Sequence, residues 1–324
     1  MRIRYPAVAL AALISTAATA QSAAPLAVYG NKQTFEIAPV LLAADGIYDG
    51  PVVVRNGGVP NLVGEAGPAG LAEPGKADLA TNAETQLLRA SLKHPELRVI
   101  LGVSEGLYRI VARRSAGIAR VADLKGKRVA TIEPTSSGYF LELMLRRAGM
   151  TFADIQARPI VPLPGMTEAL RKGEVDAVVI WEPESTKSAE ALGTDLIEFG
   201  GAGVYRELFN LNTTAGELAD PVSRARIVRF VRAVLDAGER MERDPARAQS
   251  LVAAAGGFDP RDVTAGWRHQ RFAPGMPADL LDVMTQEEQW LASRDKRPAR
   301  TRAELAALID TSVYREALAL KGHR

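Results

Sequence analysis

The chain has 324 residues, 47% of them hydrophobic and 24% charged, a composition that excludes disordered and fibrous proteins. Its 40 basic and 38 acidic residues nearly balance, so charge offers no argument for a nucleic-acid partner or an anionic membrane surface. It contains no cysteine, which excludes disulfides, a thiol nucleophile and a lipid anchor on a lipobox cysteine. At about 150 residues per domain, the length predicts two domains.

The first twenty residues are typical of a secretory signal peptide. Arg2 and Arg4 provide a positive start, residues 7–18 form an apolar run, and residues 18–20 (Ala-Thr-Ala) match a cleavage site. The apolar run is shorter than the ~20 residues that a membrane-spanning helix needs. We therefore expect export without a lipid anchor, to the periplasm in a bacterium with an outer membrane.

From residue 26 onward, short strands alternate with helices, a pattern typical of parallel α/β sheets. Residues 56–75 interrupt it with six glycines and three prolines, which predict at most a short helix. The strands are predicted at 26–30, 52–55, 77–80, 98–101, 107–113, 128–132, 155–161, 175–180 and 196–199, and the helices at 35–45, 83–93, 137–148 and 164–172.

The last third, from Pro221, is predicted to be helical almost throughout. Apolar residues recur there at helical spacing and predict a face that packs on the core. Three prolines stand where new helices could begin. The apolar stripe is Ile227, Phe230, Val231, Val234 and Leu235, and the prolines are Pro245, Pro260 and Pro277.

The segment 163–184 is the most informative part of the chain. It predicts a helix closed at Gly173, then a buried strand that ends at Trp181-Glu182-Pro183. In open α/β sheets, small ligands bind at the carboxyl ends of strands. Trp181 could stack on a ligand or fill the core, and Glu182 could face the same ligand.

Three strand-to-helix turns supply further candidate ligand-binding residues. Free N–H groups and the helix dipole favour an anion at such turns, although the same residues also serve as helix caps. Tyr139, in the turn at residues 135–139, could instead pack in the core. The candidates are Thr135, Ser136, Ser137, Gly138 and Tyr139; Thr81, Asn82 and Glu84; and Asn31, Gln33 and Thr34.

Two of these candidates decide the expected charge of the ligand. If Glu84 and Glu182 both face the cleft, the ligand carries a cationic or hydrogen-bond-donating end, as taurine or an aminopyrimidine does. If both point outward, a simple sulfonate or another small anion fits better. The sequence leaves both alternatives open.

Residues 102–106 (GVSEG) fit the G-x-S-x-G nucleophile motif of serine hydrolases, with Ser104 as nucleophile and His269 as the available base. That motif requires a helix directly after the serine, whereas the following residues are predicted to be extended. The three histidines lack the spacing of metal ligands, so no metal is expected. Residues 200–203 (GGAG) are interpreted as a hinge loop.

The mature chain resembles the periplasmic solute-binding proteins of ATP-driven importers, in the branch that serves sulfonates, taurine, nitrate and thiamine precursors. No single motif is decisive, but their order and spacing are specific. The resemblance rests on residues 75–80 (GKADLA), 123–130 (DLKGKRVA), 169–177 (ALRKGEVDA), 181–183 (WEP) and 241–248 (MERDPARA).

The resemblance implies a two-lobed type II periplasmic binding fold of the α/β class. Each lobe would be a mostly parallel sheet flanked by helices, with the C-terminal helices packed on lobe 1. The implied lobe 1 comprises residues 21–112 and 207–324, and lobe 2 comprises residues 113–206. Hinge closure would trap the ligand between the lobes.

The function implied is capture of a small anionic or zwitterionic solute for delivery to the permease of an ABC transporter. The protein would act as a monomer, without catalysis and without a cofactor. Three alternatives are kept: an enzyme on the same two-lobed fold, a serine hydrolase using Ser104, and a sensory protein that docks on a membrane receptor.

Overall fold

The computed structural model describes residues 24–65 and 72–320, so the predicted signal peptide lies outside the described residues. The strands are β1 (Leu26–Gly30), β2 (Val52–Asn56), β3 (Leu79–Ala83), β4 (Leu97–Gly106), β5 (Arg109–Arg113), β6 (Arg128–Ala130), β7 (Gln156–Arg158), β8 (Ala177–Val178), β9 (Leu196–Gly200), β10 (Glu207–Thr214) and β11 (Gln270–Arg271). The helices are α1 (Ala38–Ala44), α2 (Glu84–Ala90), α3 (Ser136–Arg147), α4 (Pro164–Lys172), α5 (Glu184–Leu192), α6 (Ala215–Ala219), α7 (Pro221–Arg243), α8 (Ala246–Gly256), α9 (Pro260–Gly266), α10 (Leu280–Arg294), α11 (Arg302–Ala306) and α12 (Ser312–Ala319).

The strands form two separate sheets, and each sheet is the centre of one lobe. Lobe 1 has the strand order β11-β4-β10-β3-β1-β2, and lobe 2 has the order β7-β6-β8-β5-β9. Strand β1 pairs in parallel with β2 and β3, and β6 pairs in parallel with β7 and β8. The other pairs, made by β4, β5 and β10, are antiparallel. The predicted two-lobed α/β class is confirmed, with both sheets mixed.

Two connections join the lobes. The chain leaves lobe 1 through residues 107–108, between β4 and β5, and returns through residues 201–206, between β9 and β10. The two connections touch, because Gly201 N donates to Tyr108 O at 2.9 Å. The predicted hinge loop at residues 200–203 begins the return connection. The lobe boundaries at 112/113 and 206/207 stay a prediction.

The C-terminal helices pack on lobe 1, as predicted. Ile227, Phe230 and Val231 on α7 are completely buried in a core that also contains β1 and β4 side chains. Helix α7 contacts α1 and α12, and α10 contacts α2. Burial of one apolar stripe against another element is what stabilises such a helix in a globular protein.

Strand β10 was not predicted from the sequence. Phe209 and Leu211 face one core, while Asn210 and Asn212, which alternate with them, are completely buried. Asparagine is depleted in strands, so the segment lacks the composition of a buried strand. It is ordered here because it pairs with β3 on one side and β4 on the other.

Some predicted bounds were also wrong. Helix α1 begins at Ala38 rather than at residue 35, and β8 spans only Ala177–Val178 of the predicted 175–180. In the glycine-rich segment, a 3₁₀-helix spans Val59–Val63. Asn61 holds this segment together, since its side-chain amide donates to Glu73 O and Gly75 O, each at 3.0 Å.

The lobes are closed on each other. On one side, helix α9 of lobe 1 meets helix α5 of lobe 2. A Cβ atom on Gly266 would lie 2.8 Å from a ring atom of Phe35, 3.0 Å from Glu182 Oε2 and 3.1 Å from Thr186 Oγ1. Glu182 and Thr186 belong to lobe 2, so the absence of a side chain at Gly266 permits this approach.

The opposite side of the interface is aromatic. The rings of Tyr139 on α3 and Trp290 on α10 are 5.1 Å apart, and Arg89 Nη1 donates to Pro134 O at 2.9 Å. One hydrophobic cluster includes side chains of both sheets, among them Val99 and Val129. The closed arrangement is therefore stabilised by buried apolar surface as well as by polar contacts.

We predict that Gly266→Val shifts the protein toward an open arrangement, because the added methyl groups collide with Glu182 and Thr186 across the interface. The measurement is small-angle scattering, with a larger radius of gyration expected for the variant. Gly216→Val on α6 is the matched control, since the nearest atom to a Cβ there is 3.7 Å away. Superimposable scattering curves for the wild type and Gly266→Val would contradict the prediction.

Candidate functional site

A small cavity lies where the two lobes meet. Its volume is about 10 Å³, which is close to the space that one water molecule requires. It borders the carboxyl ends of β4 and β8 and the turn that follows β1, the place where open α/β sheets bind ligands. Its lining residues are Glu36, Gly106, Leu107, Tyr108, Arg109, Ile180, Trp181, Glu182, Ser185 and Gln270.

Two carboxyl groups meet at this cavity, those of Glu36 in the β1–α1 turn and Glu207 at the start of β10. Each residue is only 3% exposed. A Cβ atom on Gly106 would lie 2.8 Å from Glu207 Oε2 and 3.2 Å from Glu36 Oε1, so the missing side chain leaves room for both. Burial, followed by the charge of Glu207, raises the pKa of Glu36 well above its ordinary value.

The inner oxygens of this pair are unsatisfied. Glu36 Oε1 and Glu207 Oε2 have no hydrogen-bonding partner within residues 24–65 and 72–320. The outer oxygens are held by hydroxyl groups: Thr34 Oγ1 donates to Glu36 Oε2, and Ser136 Oγ donates to Glu207 Oε1 at 2.6 Å. Ser136 Oγ is also 2.9 Å from the hydroxyl of Tyr108. If both acids were ionised, two negative charges would lie side by side away from solvent, and this proximity disfavours the ionised form of Glu36.

Arg109 is the buried cation at the cavity, and its donors are occupied. Its guanidinium pairs with Glu182 through Nη1, donates to Glu198 Oε1 through Nε at 2.6 Å, and donates to Thr186 Oγ1 through Nη2 at 3.0 Å. The residue is 5% exposed. Because two carboxylates already neutralise this guanidinium, it is not available to a ligand anion.

Three further polar atoms at the cavity lack partners among the described residues: Trp181 Nε1, Ser185 Oγ and Gln270 Oε1. Trp181 and Ser185 belong to lobe 2, whereas Gln270 belongs to lobe 1. A buried polar group without a partner costs about 1–3 kcal/mol, so such groups mark where water or a solute binds. The unsatisfied groups come from both lobes.

Of the residues predicted to bind ligand, Trp181 and Glu182 line the cavity. Thr34 and Ser136 lie behind it, through their hydrogen bonds to the Glu36–Glu207 pair. Thr81 is completely buried beside Gly30, and its Oγ1 has no partner in the described part of the chain. Ligand contact by these residues stays a prediction.

The other predicted residues make local contacts. Asn31 Oδ1 accepts from Gln33 N at 2.9 Å, and Asn82 Oδ1 accepts from Val59 N at 2.9 Å. In the turn at residues 135–139, Thr135 Oγ1 donates to Ile132 O at 2.7 Å and lies 2.8 Å from Ser137 Oγ. Gly138 packs closely on the backbone of Glu133, and Tyr139 packs against Tyr205 and Trp290. Helices α1, α2 and α3 have no side-chain cap, so the capping alternative is wrong for these residues, whereas the packing of Tyr139 matches the core alternative.

Glu84 does not line the cavity, whereas Glu182 does. Glu84 is completely buried beneath the return connection, where its Oε1 accepts from Tyr205 Oη at 2.9 Å and from Leu208 N at 3.2 Å. Tyr205 Oη is also 3.1 Å from Glu287 Oε1. Burial, then the charge of Glu207, raises the pKa of Glu84 to about 8, and burial raises that of Glu287 as well.

The sequence reasoning missed Glu36, Arg109, Glu207 and Gln270. Glu36 stands two residues after the predicted Thr34, and that adjacency was the one local signal. The other three lie at the ends of strands β5, β10 and β11. Their proximity depends on how the chain passes between the lobes, which no local pattern specifies.

Ser104 is not at a nucleophile elbow. It lies inside β4, is 3% exposed, and its Oγ donates to Glu36 O at 3.0 Å. After β4 the chain continues into β5 rather than into a helix. Burial, followed by the charges of Arg109 and Arg268, lowers the pKa of His269 to about 4. The hydrolase alternative is therefore wrong.

Within the described residues, no group of three or more histidine, aspartate or glutamate side chains is placed to hold a metal ion. In the same part of the chain, no helix is long and apolar enough to cross a membrane.

We predict that Glu84→Gln flattens the pH dependence of stability. Between pH 4.5 and about 8, the folded protein keeps a proton on Glu84 that the unfolded chain loses, so the free energy of unfolding falls as pH rises. One proton contributes at most about 1.4 kcal/mol per pH unit. Urea unfolding across this range should show a shallower slope in the variant than in the wild type or the exposed-site control Glu73→Gln. Parallel curves would contradict the assignment.

Comparison with solved structures shows where this fold occurs. The alkanesulfonate-binding protein SsuA from Xanthomonas axonopodis pv. citri, bound to MOPS, is 18% identical, with a TM-score of 0.67 over 89% of this chain and 98% of that one. The periplasmic aliphatic sulphonate binding protein SsuA from Escherichia coli is 20% identical, with a TM-score of 0.67 over 93% and 94%. The desulfurization enzyme DszB, with biphenyl-2-sulfinic acid, is 17% identical, with a TM-score of 0.62 over 91% and 98%. Binding proteins and an enzyme thus share this fold.

Sequence comparison finds an Escherichia coli (strain K12) protein named as an aliphatic sulfonates-binding protein, 35% identical over 105 residues. The alignment covers 32% of this chain and 30% of the relative's length. The family model described as NMT1/THI5 like matches residues 62–248, more than half of the chain. The chain therefore belongs to the NMT1/THI5-like family.

Proposed function

We propose that this protein is an exported substrate-binding protein that captures a small organic solute between its two lobes and delivers it to the permease of an ABC transporter. The observation that carries the proposal is the interlobe cavity, where unpartnered polar atoms of Glu36 and Gln270 from lobe 1 face Trp181 and Ser185 from lobe 2. The predicted signal peptide and the resemblance support a periplasmic location and a monomer.

Opening of the lobes is part of the proposed mechanism. The closed cavity has room for about one water molecule, so a larger solute enters only when the lobes separate. The connections at residues 107–108 and 201–206 would serve as the hinge, as in other proteins whose domains close around ligands. Closure then removes the solute from water.

The energies required are modest. A micromolar dissociation constant corresponds to about 8 kcal/mol, and a hydrogen bond to a charged group contributes about 1.5–3 kcal/mol. The closed site contains several unsatisfied buried groups, each of which costs free energy until a solute pairs with it. A solute that satisfies them stabilises the closed arrangement.

The ligand class that we propose is a small anionic or zwitterionic solute of the sulfonate, taurine, nitrate or thiamine-precursor type. The E. coli relative named for aliphatic sulfonates supports the sulfonate type. Within this set, the acidic lining favours solutes that also carry hydrogen-bond donors, because Glu36 and Glu182 line the cavity and the arginine there is already paired with Glu182 and Glu198.

We predict that at least one solute among taurine, alkanesulfonates, nitrate, carboxylates and aminopyrimidines raises the melting temperature of the mature protein. At a solute concentration of 100 times the dissociation constant, the free energy of unfolding should increase by about 2.7 kcal/mol. Binding should also change the fluorescence of Trp181. Trp181→Phe should remove that change, whereas Trp267→Phe, which replaces a tryptophan packed on Phe272, should keep it.

The same experiment distinguishes a binding protein from an enzyme on this fold. The bound solute should be recovered chemically unchanged after release. Turnover of the solute, or an absence of any stabilising solute in the panel, would overturn the proposed function.

A further inference from the structure

We infer, on the basis of the proposed function, that the Glu36–Glu207 pair binds a protonated amino group of the solute. The solute would then be an organic amine or an amino-bearing zwitterion rather than a simple anion. The pair is the receptor for the ammonium end, and the lobe 2 wall receives the other end.

The acceptors at the cavity match an ammonium group in number. Such a group has three N–H donors and no acceptor. Glu36 Oε1, Glu207 Oε2 and Gln270 Oε1 are three oxygens without a partner among the described residues. Glu36 and Gln270 line the cavity, and so does Gly106, on which a Cβ atom would lie 2.8 Å from Glu207 Oε2, so the missing side chain leaves that oxygen open toward the cavity. The cavity volume suits a group of the size of one water molecule.

The charges around the pair also favour a cation. The nearby guanidinium of Arg109 is already paired with Glu182 and Glu198. The groups next to the pair carry no charge: the hydroxyls of Thr34, Ser136 and Tyr108 and the amide of Gln270. Glu84 and Glu287, the buried acids that interact with Glu207, both have raised pKa values, and the pKa of Glu84 is about 8. An arriving ammonium group would stabilise the ionised form of Glu36, whose pKa is raised by burial and by Glu207, so binding would favour release of the proton from Glu36.

The same arrangement disfavours an anion at this end. The turn at residues 135–139, where an anion was expected from the sequence, directs the hydroxyl of Ser136 to Glu207. The chain's own carboxylate therefore takes the position next to that helix start. A ligand anion would have to lie against two carboxyl groups.

The opposite wall offers donors. Trp181 Nε1 and Ser185 Oγ line the cavity from lobe 2 and lack partners in the part of the chain that the structure describes. They suit an oxygen on the other end of the solute, such as a sulfonate or carboxylate oxygen. An amino-bearing zwitterion would place its ammonium group against the acceptors of lobe 1 and its anionic end toward the donors of lobe 2. The lobes would then lie farther apart than in the closed arrangement, because the closed cavity has room for only one small group.

The test uses matched solutes that differ only in the amino group: taurine against ethanesulfonate, and β-alanine against propionate. Isothermal titration with the mature protein should show binding of an amino-bearing member at least tenfold tighter than its matched partner. Titration in two buffers of different ionisation enthalpy should show release of a proton on binding.

Two variants test the residues. Glu36→Gln and Glu207→Gln should each weaken binding of the amino-bearing solute at least tenfold and abolish the proton release. Glu287→Gln is the matched control, because it neutralises a buried carboxyl group that does not line the cavity. If a variant fails to fold, the matched solutes on the wild type still decide the question.

The outcomes separate this inference from the proposed function. If ethanesulfonate or propionate binds as tightly as its amino-bearing partner, or if Glu36→Gln leaves amine binding unchanged, the inference is overturned and a binding protein remains. If no solute of the panel binds, both the inference and the proposed function are overturned.

Discussion

Two acidic side chains share a buried space at the junction of the lobes, and this constraint shapes the rest of the site. Glu36 comes from the turn after the first strand, and Glu207 begins the strand that carries the chain back into lobe 1. Two carboxylates so close and so buried cannot both be ionised without a cation between them. In the closed arrangement, the repulsion between the two carboxylates is therefore relieved only by a proton or by a cationic group. The neighbouring arginine does not relieve it, because Glu182 and Glu198 already occupy its donors.

A second pair of buried acids, Glu84 and Glu287, lies beneath the return connection. Tyr205, in that connection, is hydrogen-bonded to both. The charge of Glu207 raises the pKa of Glu84 further, so the two pairs interact electrostatically. If the proposed opening displaced Tyr205, both acids would lose a hydrogen bond, which would couple the lobe arrangement to the protonation of Glu84. Strand β10 thus pairs with β3 and β4 in the sheet of lobe 1, and through Glu207 it also raises the pKa of Glu84.

The fold was largely predictable from the sequence because its signals are local. Gly173 closes helix α4 in a left-handed conformation, and the apolar stripe of α7 is buried as its spacing predicts. The corner at Trp181-Glu182 was also found from the sequence, since a buried strand followed by an aromatic and a carboxylate is a local pattern. The later identification of the family agrees with the resemblance read from the ordered motifs.

The acidic pair was not predictable in the same way. Glu36 and Glu207 are 171 positions apart by their numbers in the chain, and only the strand order of lobe 1 brings them together. Strand β10 itself escaped prediction because buried asparagines interrupt its apolar residues. The turn at residues 135–139, with its hydroxyl side chains, was found from the sequence. The partner of Ser136, the carboxylate of Glu207, was not found, because no local pattern shows that it lies opposite this turn.

The unequal lengths of the two connections bear on how the lobes separate. One consists of residues 107–108 alone, while the other has residues 201–206. A link of two residues can rotate about its backbone bonds, but it cannot lengthen, so in the proposed opening the lobes would turn about that point instead of sliding apart. Leu107 and Tyr108 line the cavity, so the pivot is next to the site. In the proposed opening, Tyr108 would therefore move little, whereas the wall formed by Trp181 and Ser185 would move farther.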